Sequence, residues 1–130
     1  MSSHELRRVL YVEDEPDIQS IARLALEGVG GLEVHICSSG REALVEVPAR
    51  QPDLVLLDVM MPGMDGVSTL RALRSDERVC EIPVVFMTAK AQPDEVGSYR
   101  AMGALDVIAK PFDPMTLAAD LRRIWAARHG

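Results

Sequence analysis

Short apolar runs alternate along this chain with segments whose apolar residues recur every three or four positions. The runs are Val9–Val12, Leu32–Ile36, Leu54–Leu57, Val84–Met87 and Leu105–Ala109. Between them Ile18, Ile21, Ala22 and Ala25 repeat at helical spacing, as do Val67, Leu70 and Leu73, and later Leu117, Leu121, Ile124 and Trp125. Pro16, Pro93 and Pro114 stand where a first helical residue needs no N–H, and Ser39 with Glu42 forms a capping-box pattern. Five strands and five helices in strict alternation predict an α/β domain, a parallel sheet covered by helices on both faces. The second run alternates apolar with polar residues, Leu32-Glu-Val-His-Ile36, which places it at an edge of the sheet. His35 then reads as a surface residue on the outward face of that strand, and Trp125 as core or a subunit contact.

Composition narrows the setting. The 130 residues, 48% of them hydrophobic, suit one domain spanning 1–130 with its core at about residues 7–127. After the last expected helix the chain stops at His129-Gly130, so no effector domain is expected in it. A net charge of −6 argues against direct nucleic-acid binding, which requires clustered Lys and Arg. Proteins or cations are the more natural partners. Cys37 and Cys80 lack metal-type spacing and, without a signal peptide, are expected reduced in a cytoplasmic protein. No apolar run reaches the length needed for membrane insertion.

In a parallel α/β sheet, chemistry gathers beyond the carboxyl ends of the strands. The first expected strand ends in Glu13 and Asp14, the third in Asp58, the fourth in Thr88 and the fifth in Lys110-Pro111. Three carboxylates converging on one rim must protonate, spread apart or share a cation. Mg²⁺ suits an open, oxygen-rich site of this kind. A rigidly held carboxylate can also act as a nucleophile toward phosphorus, and Asp58, following a fully apolar strand, is the best candidate. Lys110 and Thr88 offer a charge and a hydroxyl to phosphoryl oxygens.

Taken singly, each residue has an ordinary structural explanation: a charged first turn before Pro16, a turn or cap at Asp58, a β-former leaving a strand at Thr88, a solvated charge at Lys110. Their coincidence at four strand ends is what points to a site.

Val12-Glu13-Asp14, Leu57-Asp58-Val59-Met60-Met61-Pro62-Gly63-Met64-Asp65-Gly66, Met87-Thr88-Ala89 and Lys110-Pro111-Phe112 resemble the motifs of response-regulator receiver domains, in order and in register. The resemblance implies a flavodoxin-like, doubly wound sheet of strand order 2-1-3-4-5 and a cis Lys110-Pro111 bond. It also implies Asp58 as phosphoacceptor, and Thr88 and Lys110 as the pair that senses the phosphoryl group. Mg²⁺ would be held by Glu13, Asp14, Asp58 and the Met60 backbone carbonyl. The implied donor is a sensor histidine kinase or a histidine phosphotransfer protein, and the implied output is a protein target docking on helix 4, strand 5 and helix 5. Such a domain is a signalling element, enzymatic only in its own phosphotransfer and dephosphorylation.

Other classes fit less well. A flavodoxin-type binder needs a phosphate-cradling loop where this chain has Glu13-Asp14-Glu15-Pro16. A haloacid-dehalogenase-type phosphatase needs an acid where it has Met60. A receiver-like interaction module that is never phosphorylated remains as the alternative. One departure from the resembled pattern stands out: Val107 occupies a position, three before the lysine, where many receivers carry an aromatic switch residue.

Overall fold

The computed structural model describes residues 4–128, so the chain end at His129-Gly130 lies outside the described residues. Five strands, β1 (Arg8–Val12), β2 (Glu33–Cys37), β3 (Leu54–Asp58), β4 (Val84–Thr88) and β5 (Asp106–Ala109), form one parallel sheet ordered β2-β1-β3-β4-β5. The helices are α1 (Pro16–Arg23), α2 (Gly40–Arg50), α3 (Gly66–Arg74), α4 (Pro93–Ala101) and α5 (Leu117–Ala127). The expected alternation, strand order and edge position of β2 are all observed.

Strands β3 and β4 are buried along their whole length, as near-continuous apolar runs in a doubly covered sheet require. Alternate residues divide between two cores. Val9, Tyr11, Leu54 and Leu56 join Ala22, Ala25 and Leu26 with Leu117, Leu121 and Trp125 of α5 on one face. Leu10, Val12, Val55, Leu57 and Phe86 meet Ala43 and Val47 of α2 with Leu70 and Leu73 of α3 on the other. Trp125 is core, and its indole N–H donates to the His4 carbonyl at 3.0 Å.

Several local expectations shift. Ile21, expected on the apolar stripe of α1, is 46% exposed; the buried stripe runs through Ala22, Ala25 and Leu26, the last two in a π-helical turn, Leu24–Val29, that continues the helix. Pro114 does not begin α5. Asp113 accepts from the Met115 N–H through its side chain and from the Thr116 and Leu117 N–H groups through its carbonyl, so residues 114–116 form a turn and regular helix begins at Leu117. The capping box at α2 is offset: Ser39 Oγ accepts from the Glu42 N–H, but the Glu42 carboxylate reaches back to the Ser38 N–H at 2.7 Å. His35 is only partly at the surface: its side chain is 32% exposed, and Nε2 turns in toward α2, 3.6 Å from Glu46 Oε1.

The approach of α3 to the end of β3 depends on Gly66. A Cβ there would lie 2.5 Å from the Asp58 carbonyl oxygen and 2.7 Å from Val59 Cα, and the Gly66 N–H donates to the Val59 carbonyl. At its other end α3 is fastened by Arg74, which donates to the carbonyls of Ile82 and Gly103.

Candidate phosphoryl-transfer site at the carboxyl rim

Backbone bonds carry the sheet past the formal strand ends and fix the rim. Glu13 N–H donates to the Cys37 carbonyl at 3.0 Å, Val59 N–H to that of Met87 at 3.1 Å, and Lys110 N–H to that of Thr88 at 2.9 Å. Glu13, Asp58 and Thr88 are buried there, Asp14 is partly buried, and the Lys110-Pro111 bond is cis.

Carboxylate oxygens of Glu13, Asp14 and Asp58 lie within 4.8 Å of one another. Lys110 Nζ enters this cluster, 3.0 Å from Glu13 Oε1 and 3.4 Å from Asp58 Oδ2. The two acids are held differently. Glu13 Oε1 also accepts from the Tyr11 hydroxyl at 3.0 Å, and its Oε2 accepts from the Glu15 N–H, so both oxygens of Glu13 have protein donors. Asp58 has Lys110 and the Met60 backbone N–H.

Burial, and then the charge of Glu13, push the Asp58 carboxyl up to about 6 against the opposing pull of Lys110 and the Met60 N–H. Burial alone would lower the Lys110 ammonium, but its hydrogen bond to Glu13 and the charges of Asp58 and Glu13 outweigh that and raise it. Tyr11, raised far above the usual phenol range by burial and then by Glu13, stays a neutral donor. The rim thus holds more negative charge than one ammonium neutralises. Three hard carboxylate oxygen donors at an open rim match the ligand chemistry of Mg²⁺.

The structure brings Glu13, Asp14, Asp58 and Lys110 together, with Thr88 at the end of the neighbouring strand β4. The Thr88 hydroxyl accepts from the Lys90 N–H at 3.0 Å, which ties it to its own loop. The Met60 side chain is 68% exposed and takes no part in the cluster. Tyr11 is the contributor that sequence reasoning missed; its signal was a lone hydroxyl within an apolar run, two residues before Glu13 and therefore on the same side of the strand.

A doubly wound sheet carrying an acidic pocket, a hydroxyl and a lysine at its switch-point rim defines a class of signalling domain, and comparison with known proteins agrees. The family model described as the response regulator receiver domain matches residues 9–122, and the chain belongs to that family. It is 39% identical over 116 residues to the DNA-binding response regulator MtrA of Mycolicibacterium smegmatis, covering 89% of this chain and 49% of that protein. With the phosphate regulon transcriptional regulatory protein PhoB of Pseudomonas aeruginosa it shares 36% identity over 118 residues, covering 91% of this chain and 51% of the other. The chain therefore spans about half the length of these curated relatives. Among solved structures, the chemotaxis protein CheY4 of Vibrio cholerae aligns with a TM-score of 0.83 at 31% identity, over 92% of this chain and 98% of that one. The signal receiver domain of a signal transduction histidine kinase from Syntrophus aciditrophicus aligns at 0.78 and 32% identity, over 92% and 90% of the two chains. Among the described residues no helix is long and apolar enough to cross a membrane.

Proposed function

We propose that this receiver accepts a phosphoryl group on Asp58 from a phosphohistidine of a sensor histidine kinase or a histidine phosphotransfer protein. Asp58 Oδ attacks the phosphorus, the phosphorus–nitrogen bond of the donor breaks, and its electron pair returns to the imidazole. The observation that carries this reading is the asymmetry of the two buried acids. Both oxygens of Glu13 have donors from its own neighbourhood, Tyr11 and Lys110 on one and the Glu15 N–H on the other, whereas Asp58, at the end of a rigid central strand, has Lys110 beside Oδ2 and a carboxyl that burial and Glu13 raise to about 6, still ionised at neutral pH.

Glu13, Asp14, Asp58 and the Met60 carbonyl would hold Mg²⁺, which when bound offsets the charge gathering on the carboxylates and the phosphoryl oxygens. Lys110, already beside Asp58, pairs with a phosphoryl oxygen once that carboxylate carries the acyl phosphate. Thr88, whose hydroxyl accepts from the Lys90 N–H, has its own proton to donate to another. The movement of the Thr88 loop alters the surface formed by α4, β5 and α5, where a downstream protein docks. The setting is cytoplasmic, where histidine-kinase catalytic domains and their phosphoryl donors work. A chain of net charge −6 offers no phosphate-binding surface of its own to nucleic acid.

Incubation with acetyl phosphate and Mg²⁺, read by intact mass, tests this. The expected result is the gain of one hydroxylamine-labile phosphoryl group, lost in Asp58→Asn and on chelation of Mg²⁺. Labelling that persists in Asp58→Asn would overturn the acceptor assignment. A wild-type chain that gains no mass would instead be the non-phosphorylated interaction module.

A further inference from the structure

A second group of metal-ligating side chains lies between β2 and α2, apart from the acidic rim. His35 and Cys37, two residues apart on β2, face the same helix. Glu42 and Glu46, four apart on α2, line the helix face toward them. A ring nitrogen of His35, Cys37 Sγ and a carboxylate oxygen of Glu42 lie within 4.8 Å of one another.

The polar bonding in this group is incomplete. His35 Nε2 is buried and has no hydrogen-bond partner, the one such side-chain atom among the described residues; Glu46 Oε1, at 3.6 Å, is beyond bonding reach and is held by Arg50 at 2.7 Å. An orphaned buried nitrogen is costly unless something satisfies it. The Glu42 carboxylate spends Oε1 on the Ser38 N–H, which leaves Oε2 free. Cys37 is a fully buried free thiol, pushed up to about 12 by burial and then by Glu42 and Glu46. The charges facing the group from α2 are thus two carboxylates and Arg50.

We propose that His35 Nε2, Cys37 Sγ and Glu42 form a binding site for Zn²⁺, with Glu46 or water completing four-coordination. Nitrogen, thiolate and carboxylate donors together suit a borderline-soft ion with tetrahedral preference, and do not suit Mg²⁺, which takes oxygen. As the metal–sulfur bond forms, the Cys37 thiol proton leaves to solvent. The ion supplies the missing partner of Nε2 and pins α2 to the otherwise free edge of the sheet.

The test is titration of the full chain with Co²⁺ as a coloured stand-in, in excess Mg²⁺ to occupy the acidic rim. One equivalent should bind, with thiolate-to-cobalt charge-transfer absorption that Zn²⁺ then bleaches. Cys37→Ser and the partly exposed His35→Gln should each weaken binding by more than about 100-fold, beyond what loss of an outer partner costs. Cys80→Ser and Asp14→Asn should leave the absorption intact. Absence of the charge-transfer band, its persistence in Cys37→Ser, or its loss in Cys80→Ser would each overturn the site.

Discussion

The Tyr11 hydroxyl donates to Glu13 Oε1 at 3.0 Å, and Lys110 Nζ meets the same oxygen at the same distance from the opposite end of the chain. A phenol that lies wholly in the core, with Met87 Sδ 3.4 Å from its oxygen, thereby sets the orientation of an acid at the functional rim. Tyr11→Phe keeps the shape and removes the bond. A hydrogen bond to a charged group contributes about 1.5–3 kcal/mol, so urea denaturation should show a loss of that order with an unchanged slope.

Lys110→Met should be more damaging, because it leaves two buried carboxylates facing each other. Breaking one side of a buried pair costs about 3–5 kcal/mol, and the partial exposure of this ammonium puts the expected loss near about 3. Mg²⁺ should recover more stability in Lys110→Met than in the natural chain, since the ion takes over the neutralisation. Equal Mg²⁺ stabilisation of both proteins in thermal melts would contradict this.

Asp58 gives a pH dependence of unusual sign. Its folded value of about 6 exceeds the unfolded 3.8, so between those limits the folded state holds more protons. Its contribution to stability is therefore largest below about pH 4 and declines as pH rises through 6. Without metal, Asp58→Asn should stabilise the fold at neutral pH by up to about 3 kcal/mol, one pKa unit being about 1.4 kcal/mol, and by little at pH 4. Melting temperatures across pH 4–8 for both proteins would check it.

Val107 pairs with Phe86 across β4 and β5, and Phe86 meets the Tyr99 ring of α4 edge-on, centroids 5.1 Å apart. A valine has one stiff χ1, so it does not supply a two-position aromatic switch. On the function proposed above, movement would fall instead to Thr88 and the loop its hydroxyl holds through Lys90. A charge-assisted bond of about 1.5–3 kcal/mol shifts a two-state segment roughly 10- to 150-fold, short of the ~10⁴ needed for full reversal, so a docking partner completes the change. Beryllofluoride should shift amide NMR signals across residues 88–97; Thr88→Ala should suppress those shifts and Val107→Ala should largely preserve them.

Met60 and Lys90 stand exposed two residues beyond Asp58 and Thr88; if Asp58 is the acceptor proposed above, these positions would flank the approach of water to its phosphoryl group. Neither orients water well. The phosphoryl group should outlast that of a variant carrying Met60→Asn with Lys90→Glu, measured as decay of the phosphorylated mass after the donor is removed.

The sheet and the rim were legible because both are written in strand-length apolar runs and in what ends them. A run such as Leu54-Val-Leu-Leu57 has one stable place, the doubly covered centre, and the residue after it must emerge at the carboxyl rim. Features set by tertiary contact were not legible. Tyr11 counts as apolar until Glu13 is seen beside its hydroxyl. The π-helical turn Leu24–Val29 that continues α1 is marked by no local residue preference. His35 alternates like an exposed edge residue, but α2 covers that side of the edge and turns it inward.

Gly66 sets a limit on how this domain can vary. With the Asp58 carbonyl 2.5 Å from where a Cβ would stand, even alanine must push α3 and the end of β3 apart. The clash falls on the backbone of Asp58 and Val59, so the displacement would reach Asp58 directly, however conservative the change. In a library randomised at 66, survivors selected for phosphoryl acceptance should be almost all glycine, while Met60 in the same loop, its side chain in solvent, should accept nearly every residue type. Evolutionary freedom at this rim is thus sorted by clearance from the backbone, and two positions six residues apart in sequence lie at its opposite extremes.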